Sequence, residues 1–320
     1  MAEEPKKPLV LLAAPQIASP VTTQVIMRNV LIALAPAFIA SVVFFGLPAL
    51  LVTAVSVVSC VGFEYLWCRL RNLPNTIGDL SAAVTGVLLA FNLPSTIPLY
   101  MVVIGAFVAI IMTKELFGGI GKNFANPAIV GRIFLAVAFP VAMTTFVAPH
   151  FTLTSVDVVS SATPLASGMA NLLSHLDLLL GLHMGVLGET SALAILIGFV
   201  YLLATKTIRW HTTVAYVATV VLMSVLTGND PVAQALSGGL LLGAVFMATD
   251  YTTSPATVKG KVVFAIGCGL ITSLIRFFGN LNEGVAYSIL FMNLLVPYID
   301  IHTKNTPIGG EGKRRGGRNE

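Results

Sequence analysis

Apolar residues in this chain gather into ten stretches, each near the roughly 20 residues that cross a bilayer core. They run 27–45, 47–67, 79–94, 97–113, 125–146, 190–205, 211–227, 231–249, 262–278 and 284–301. Charged residues make up only 10% of the 320, where an ordinary soluble chain carries about a quarter. Too few remain to cover a water-facing surface. The pattern specifies an all-α polytopic membrane protein, because a helix satisfies its backbone polar groups within itself. The third and eighth stretches are the weakest, being rich in Gly, Ser and Thr.

The charges orient these spans. With the N-terminus inside, Lys6, Lys7, Arg28, Arg69, Arg71, Lys114, Lys122, Arg132, Lys206, Arg209, Lys259 and Lys261 fall on inner segments. So do Lys304, Lys313, Arg314, Arg315 and Arg318 of the tail. Of the 18 basic residues only Arg276 lies near the outer face. This is the asymmetry of the positive-inside rule, and a missed or extra span would scramble it. Both termini are then cytoplasmic, in a chain of the inner (cytoplasmic) membrane. The net charge of +4 is an orientation signal, not a nucleic-acid patch. The first span is expected to act as an uncleaved signal. The organisation is one membrane domain over 1–320: a cytoplasmic N-terminus (1–26), a first five-helix half (27–146), an extracytoplasmic loop (147–189), a second five-helix half (190–301) and a basic cytoplasmic tail (302–320).

The outer loop holds no Lys or Arg but does hold Asp157, Asp177 and Glu189. Within it Leu172, Leu173, Leu176, Leu179 and Leu180 recur at helical spacing and predict a short helix on the outer membrane surface. A faint repeat links Ser81-Ala-Ala-Val-Thr-Gly86-Val-Leu-Leu-Ala90 to Gln234-Ala-Leu-Ser-Gly238-Gly-Leu-Leu-Leu-Gly243. Both centre on a hydroxyl–Gly pair followed by leucines. Five spans separate them, an odd offset that inverts one half relative to the other. The plain alternative is that small residues let helices pack closely.

Polar residues in an apolar chain are the candidates for chemistry. Asp157-Val-Val-Ser160-Ser161-Ala162-Thr163-Pro164 is a hydroxyl-rich outer turn in which Pro164 keeps Thr163 extended. No base beside Thr163 in sequence activates its hydroxyl, so it suits modification by another enzyme better than catalysis of its own. Gly118-Gly-Ile-Gly-Lys122-Asn123 is not a P-loop, because Leu116 stands where its first Gly is needed and Asn123 where Ser or Thr is. The run leads at the inner face into Asn123-Phe-Ala-Asn126-Pro127, and Pro127 suits the first turn of a helix. Two Asn amides at a helix start fit either a polar ring or anion, or a plain cap. Asp250 ends the eighth stretch at the same face, followed by Tyr251, Thr252 and Thr253. Glu64 lies near the inner end of the second stretch, where a carboxylate at helix centre would cost about 2.5–3.5 kcal/mol. It reads as a group on an ion or proton path, or else as a snorkelling interfacial group or a partner of Arg69. Asp79 and Asp300 sit at helix ends. Cys60, Cys68 and Cys268 form no CxxC pair and read as buried thiols. His150, His175 and His183 lack metal-ligand spacing and read as surface residues.

Asp157-x-x-Ser160-Ser161-Ala162-Thr163 resembles the flavinylation motif Asp-x-x-(Ser/Thr)-(Gly/Ser)-Ala-Thr, with Ser161 where Gly is common. Further matching segments are Gly118-Gly-Ile-Gly-Lys-Asn-Phe-Ala-Asn-Pro-Ala128, Gly131-Arg-Ile-Phe-Leu135, Phe246-Met-Ala-Thr-Asp250 with Ser254-Pro255, and Met292-Asn-Leu-Leu-Val-Pro297 with Asp300. Over nearly its whole length the chain resembles the D subunits of Rnf electron-transport complexes. The paralogous B subunit of Na+-pumping NADH:quinone oxidoreductase is the runner-up, disfavoured because the first span starts near residue 27. The resemblance implies ten transmembrane helices arranged as two inverted five-helix repeats, similar to urea transporters. It implies FMN joined through its phosphate to Thr163 by a flavin transferase that recognises Asp157, Ser160, Ser161 and Ala162. It suggests a second, noncovalent flavin, riboflavin, near Asn123, Asn126, Asp250 and Thr252.

The implied role is that of one component of a translocase, moving electrons between ferredoxin and NAD+ coupled to Na+ or H+. Implied partners are two helical membrane subunits holding an iron–sulfur cluster, a second flavinylated subunit, and peripheral iron–sulfur and NADH-binding subunits. This chain has neither a strand-borne GxGxxG unit nor a cysteine cluster, so NAD+ and ferredoxin belong to those partners. A non-redox channel or transporter of the same fold is the rival reading.

Overall fold

The computed structural model describes residues 21–147, 160–161, 174–181, 183–189, 191–279 and 284–303. α1 (Thr23–Phe45) and α2 (Leu47–Leu70) form a hairpin turned at Gly46, whose φ of 66° suits glycine. α3 (Ser81–Phe91) is short and enters through Leu80, a left-handed residue at φ 64°. α4 (Leu99–Phe107) runs on into a π-helical segment, Val108–Glu115. α5 (Pro127–Ala138) and α6 (Pro140–Thr144) make one bent rod. β1 (Phe146–Val147) and β2 (Ser160–Ser161) pair antiparallel. α7 (His175–Leu180) is a single turn and a half in the outer loop. Then follow α8 (Ala192–Ala204), α9 (Trp210–Leu226), α10 (Pro231–Leu236) and α11 (Leu240–Leu242), which continues as a π segment, Gly243–Met247. α12 (Val258–Phe278) and α13 (Val285–Thr303) complete the described chain. Among the described residues, α1, α2, α12 and α13 are long and apolar enough to cross a membrane.

Three stretches that read as single spans are interrupted. The stretch 125–146 bends at Phe139, whose backbone (φ −134°, ψ 60°) leaves the helical region just before Pro140, which disfavours that region for the residue it follows. The stretch 231–249 breaks between α10 and α11, where Gly238 and Gly239 take left-handed φ values of 70° and 65°. Arg276 answers the carbonyls freed by that break. Its Nη1 donates to Gln234 O at 2.8 Å, and its Nη2 to Ser237 O and Gly238 O at 3.0 Å each. This accounts for the one basic residue that the charge pattern sets apart from the others. The stretch 79–94 yields only α3, and the carbonyls of Phe91 and Leu93 at and just past its end are met by the end of the 147–189 loop. Leu187 N donates to Leu93 O and Gly188 N to Phe91 O. Part of the loop therefore folds inward and buries Val186, Leu187 and Glu189.

Packing is parallel in the two parts of the chain. α2 packs on α3 and α4, while α9 packs on α10 and α12. α4 and its π segment pack on α5, and α12 packs on α13. α1 lies against α8. Ser56 Oγ donates to Gly86 O at 2.7 Å across α2 and α3, and Thr213 Oγ1 to Ala244 O at 3.0 Å across α9 and the second π segment. Gly86 permits the first approach, since a Cβ there would stand 2.7 Å from Val57 Cα. A Cβ at Gly198 would overlap the Ala33 carbonyl, so α1 and α8 also meet through a glycine. Outward faces carry apolar side chains such as Val58, Val137, Leu226 and Phe278, which a bilayer would cover.

Candidate functional site

A cavity opens at the end of the bundle where α1 and α5 begin and α2 and α8 stop. Its walls are apolar, with Met27, Val84, Leu88 and Phe246 among them. Both π segments reach it, the first through Lys114 and the second through Val245 and Phe246. A π turn carries an extra residue, which widens the helix and re-aims side chains, and such turns recur at functional sites. In the first, Thr113 Oγ1 donates to Val108 O, the carbonyl five residues back.

The loops on either side supply the rim. Asn123, Asn126, Asp250 and Thr252 all line this one cavity, although more than a hundred residues of chain separate the two pairs. Asn123 Nδ2 donates to Ala125 O and to Thr252 Oγ1, tying the loops together. Asn126 Oδ1 accepts from Ala128 N at 3.1 Å and Ile129 N at 3.4 Å. It therefore caps α5, and the amides that an anion would need at this helix start are already taken. Asp250 accepts from Thr252 N, Thr252 Oγ1 and Thr253 Oγ1. Burial pushes its carboxyl above the usual range, and those three hydrogen bonds only partly offset this. Apolar walls with amide, hydroxyl and ammonium groups at one rim match a flavin ring, apolar on its faces and polar along one edge.

Glu64 is fully buried behind this cavity, and its partner is Lys114, not Arg69. Lys114 Nζ donates to Glu64 Oε2 at 2.9 Å and to Ser81 Oγ at 2.6 Å. Thr76 Oγ1 donates to Glu64 Oε1, and Ser81 Oγ to Asp79 Oδ1, each at 2.5 Å. Arg69 instead donates to Tyr65 Oη. Lys114 reads in the sequence as a charge on an inner segment, but it is only 3% exposed. Arg132 likewise sits on α5, not in a loop. The signal for Lys114 is present in Thr113-Lys114-Glu115, a charged pair closing an apolar stretch, but nothing in the sequence names its partner 50 residues away.

Of the outer-turn motif, the described residues Ser160 and Ser161 lie at the other end of the molecule. In the β1–β2 pair Phe146 faces Ser161 and Val147 faces Ser160, which fastens the backbone of Ser160 and Ser161 to the far end of the α5–α6 rod. At about 1.5 Å per residue, the rod from Asn126 to Phe146 is roughly 25–30 Å long. Asp157, Ala162 and Thr163 lie outside the described residues, as do His150, Leu172, Leu173 and the basic tail.

Of the helix expected in the loop, His175–Leu180 is described as α7, held to α10 by a 2.6 Å contact between His175 Nε2 and Asp230 Oδ2. His183 is not a surface residue. It is buried, neither ring nitrogen has a hydrogen-bond partner among the described residues, and burial lowers its pKa. Cys60, Cys68 and Cys268 are free and buried.

Residues 10–309 match the model of the NQR2, RnfD, RnfE family. The chain is 45% identical to the D subunit of the Na(+)-translocating ferredoxin:NAD(+) oxidoreductase complex of Acetobacterium woodii, over 94% of this chain and 95% of that one. It is 41% identical to the D subunit of the proton-translocating ferredoxin:NAD(+) oxidoreductase complex of Clostridium ljungdahlii, over 93% and 95%. It is 37% identical to the D subunit of the ion-translocating oxidoreductase complex of Alcanivorax borkumensis, over 79% and 82%. With near-complete coverage of both its own length and that of the first two, the chain belongs to the NQR2, RnfD, RnfE family.

Proposed function

We propose that this chain is the membrane D subunit of an ion-translocating ferredoxin:NAD+ oxidoreductase and that it holds two flavins. One is FMN, joined through its phosphate to Thr163 by a flavin transferase that reads Asp157, Ser160, Ser161 and Ala162. The other is riboflavin, held without a covalent bond in the cavity between the π segments. The assignment to that complex rests on the relatives, whose names carry it. The second flavin rests on one observation above all: Asn123, Asn126, Asp250 and Thr252 converge with Lys114 on a single apolar-walled cavity.

When bound, a flavin supplies the electron chemistry, accepting and giving electrons singly or in pairs. The chain's own residues do the rest. Asn123 and Thr252 lock the two rim loops, Asp250 orders the second of them, and Phe246 and Leu88 exclude water from the walls. Thr163 would tether the FMN at the opposite end, so electrons entering at one face leave at the other. The bundle crosses the membrane ten times as two inverted five-helix repeats, similar to urea transporters. The parallel packing of α2 and α9, and their matching hydroxyl-to-carbonyl bonds, support this. Both termini and the cavity are cytoplasmic, and the 147–189 loop is outside. The coupled ion is Na+ or H+, the two named in the relatives, with Glu64 on its path. Iron–sulfur, NADH-binding and further flavin-bearing subunits complete the enzyme.

The test is a Thr163→Ala variant in the native complex. Assembly is expected to persist and ferredoxin-dependent NAD+ reduction to be abolished. Unchanged activity would contradict this reading and restore the channel or anchor alternatives.

A further inference from the structure

We infer that Lys114 is the electrostatic partner of the ring bound in the cavity: its ammonium faces the flavin and stabilises the negative charge the ring carries when reduced, while Glu64 restrains that effect. This rests on the reading of the cavity as a flavin site.

An ammonium has three N–H groups. Among the described residues Lys114 places two, on Glu64 and Ser81. Glu115 Oε1 lies 3.7 Å away, a second buried ion-pair partner of the ammonium but beyond hydrogen-bond range. One N–H is thus left over, on a group that lines the cavity and is 3% exposed. Lys114 is also the one Lys or Arg among the described lining residues. The other charged lining residue, Asp250, is occupied by its own turn. Glu64 does not line the cavity. It stands behind Lys114, braced by Thr76.

Buried charges interact strongly because little water screens them. In full reduction, a reduced iron–sulfur carrier gives the ring two electrons in successive steps and is itself oxidised. One proton comes from water at the cavity mouth, and one negative charge remains on the ring. Lys114 keeps its own proton and offers its third N–H to that charge. Glu64, at 2.9 Å, competes most closely for the same ammonium, with Glu115 further off at 3.7 Å, so Lys114 and Glu64 pull the ring's potential in opposite directions.

That opposition is the test. The midpoint potential of the noncovalent flavin is measured by optical redox titration of the purified complex, in wild type, Lys114→Met, Lys114→Arg and Glu64→Gln. Lys114→Met is expected to weaken the preference for the reduced ring at least tenfold, a fall of about 30 mV for a two-electron couple. Lys114→Arg should stay near wild type, and Glu64→Gln should raise the potential. A merely structural role moves Lys114→Met and Glu64→Gln the same way or not at all, and either result overturns the inference. If Lys114→Met loses its flavin, Glu64→Gln decides by sign, because it keeps the ammonium. A wild-type complex that releases no flavin on acid precipitation would instead overturn the reading of the cavity itself.

Discussion

At the scale of single residues, the charges inside the bundle tie distant elements together. A buried pair that loses one member typically costs about 3–5 kcal/mol, because the survivor stays buried and unpaired. Glu64→Gln and Lys114→Met are each expected to lower the thermal unfolding temperature in detergent. The double variant should lose clearly less than the sum, and strict additivity would show that the pair does not act as one. Arg276 is different, since it answers three carbonyls with a fork that lysine does not have. Arg276→Lys should destabilise the chain by roughly 2 kcal/mol, near the value of one hydrogen bond to a charged group. An unchanged unfolding temperature would mean that the break needs no cap. In the sequence Glu64 and Arg276 are visible as charges in unexpected places. Their partners are not, because Lys114 and the α10–α11 break reach them only through tertiary packing.

At the scale of elements, the short helices matter more than the long ones. Four long apolar helices could be read directly from composition. The breaks could not, because Gly238 and Gly239 resemble any small-residue stripe until their backbone angles are known. The π segments leave no signature in apolar periodicity at all, and they shape the cavity. Gly86 sets how closely α2 and α3 approach. Gly86→Ala places a methyl 2.7 Å from Val57 Cα, and overpacking of this kind costs about 1–3 kcal/mol. Its check is a chemical-denaturation midpoint, and no shift would refute the close contact.

At the end of the bundle away from the cavity, Asp230 caps α10 through Val232 N and Ala233 N and also holds His175. The hydrogen bond from His175 is the main reason its carboxyl lies below the usual range, with the two α10 amides adding to it. A lowered folded-state pKa contributes stability above the unfolded value, and this is lost as pH falls through the lowered value. Asp230→Ala should cost about 1 kcal/mol as a lost cap, and Asp230→Asn much less. Exchange of the α7 amides, corrected for intrinsic rate, should rise in the wild type only below the carboxylate range. In Asp230→Ala it should already be raised at neutral pH. Equal protection in both would remove the tie between α7 and α10.

At the scale of the whole molecule, the chain separates two candidate sites. The rim residues Asn123, Asn126, Asp250 and Thr252 are legible as separate polar islands in apolar sequence, and the fold gathers them. Of the motif at the other end, only the backbone of Ser160 and Ser161 is described, paired with Phe146 and Val147. Here the charge pattern and the flavinylation-like motif carry the reading. The central claim is that this chain is a flavin-bearing redox subunit. The measurement that tests it most directly is intact-mass analysis of the denatured chain, purified from cells that contain the transferase, followed by mapping of the modified peptide. The expected result is added mass equal to one FMN less water, on the peptide that contains Thr163. An unmodified chain would contradict the claim and return a non-redox transporter to the front.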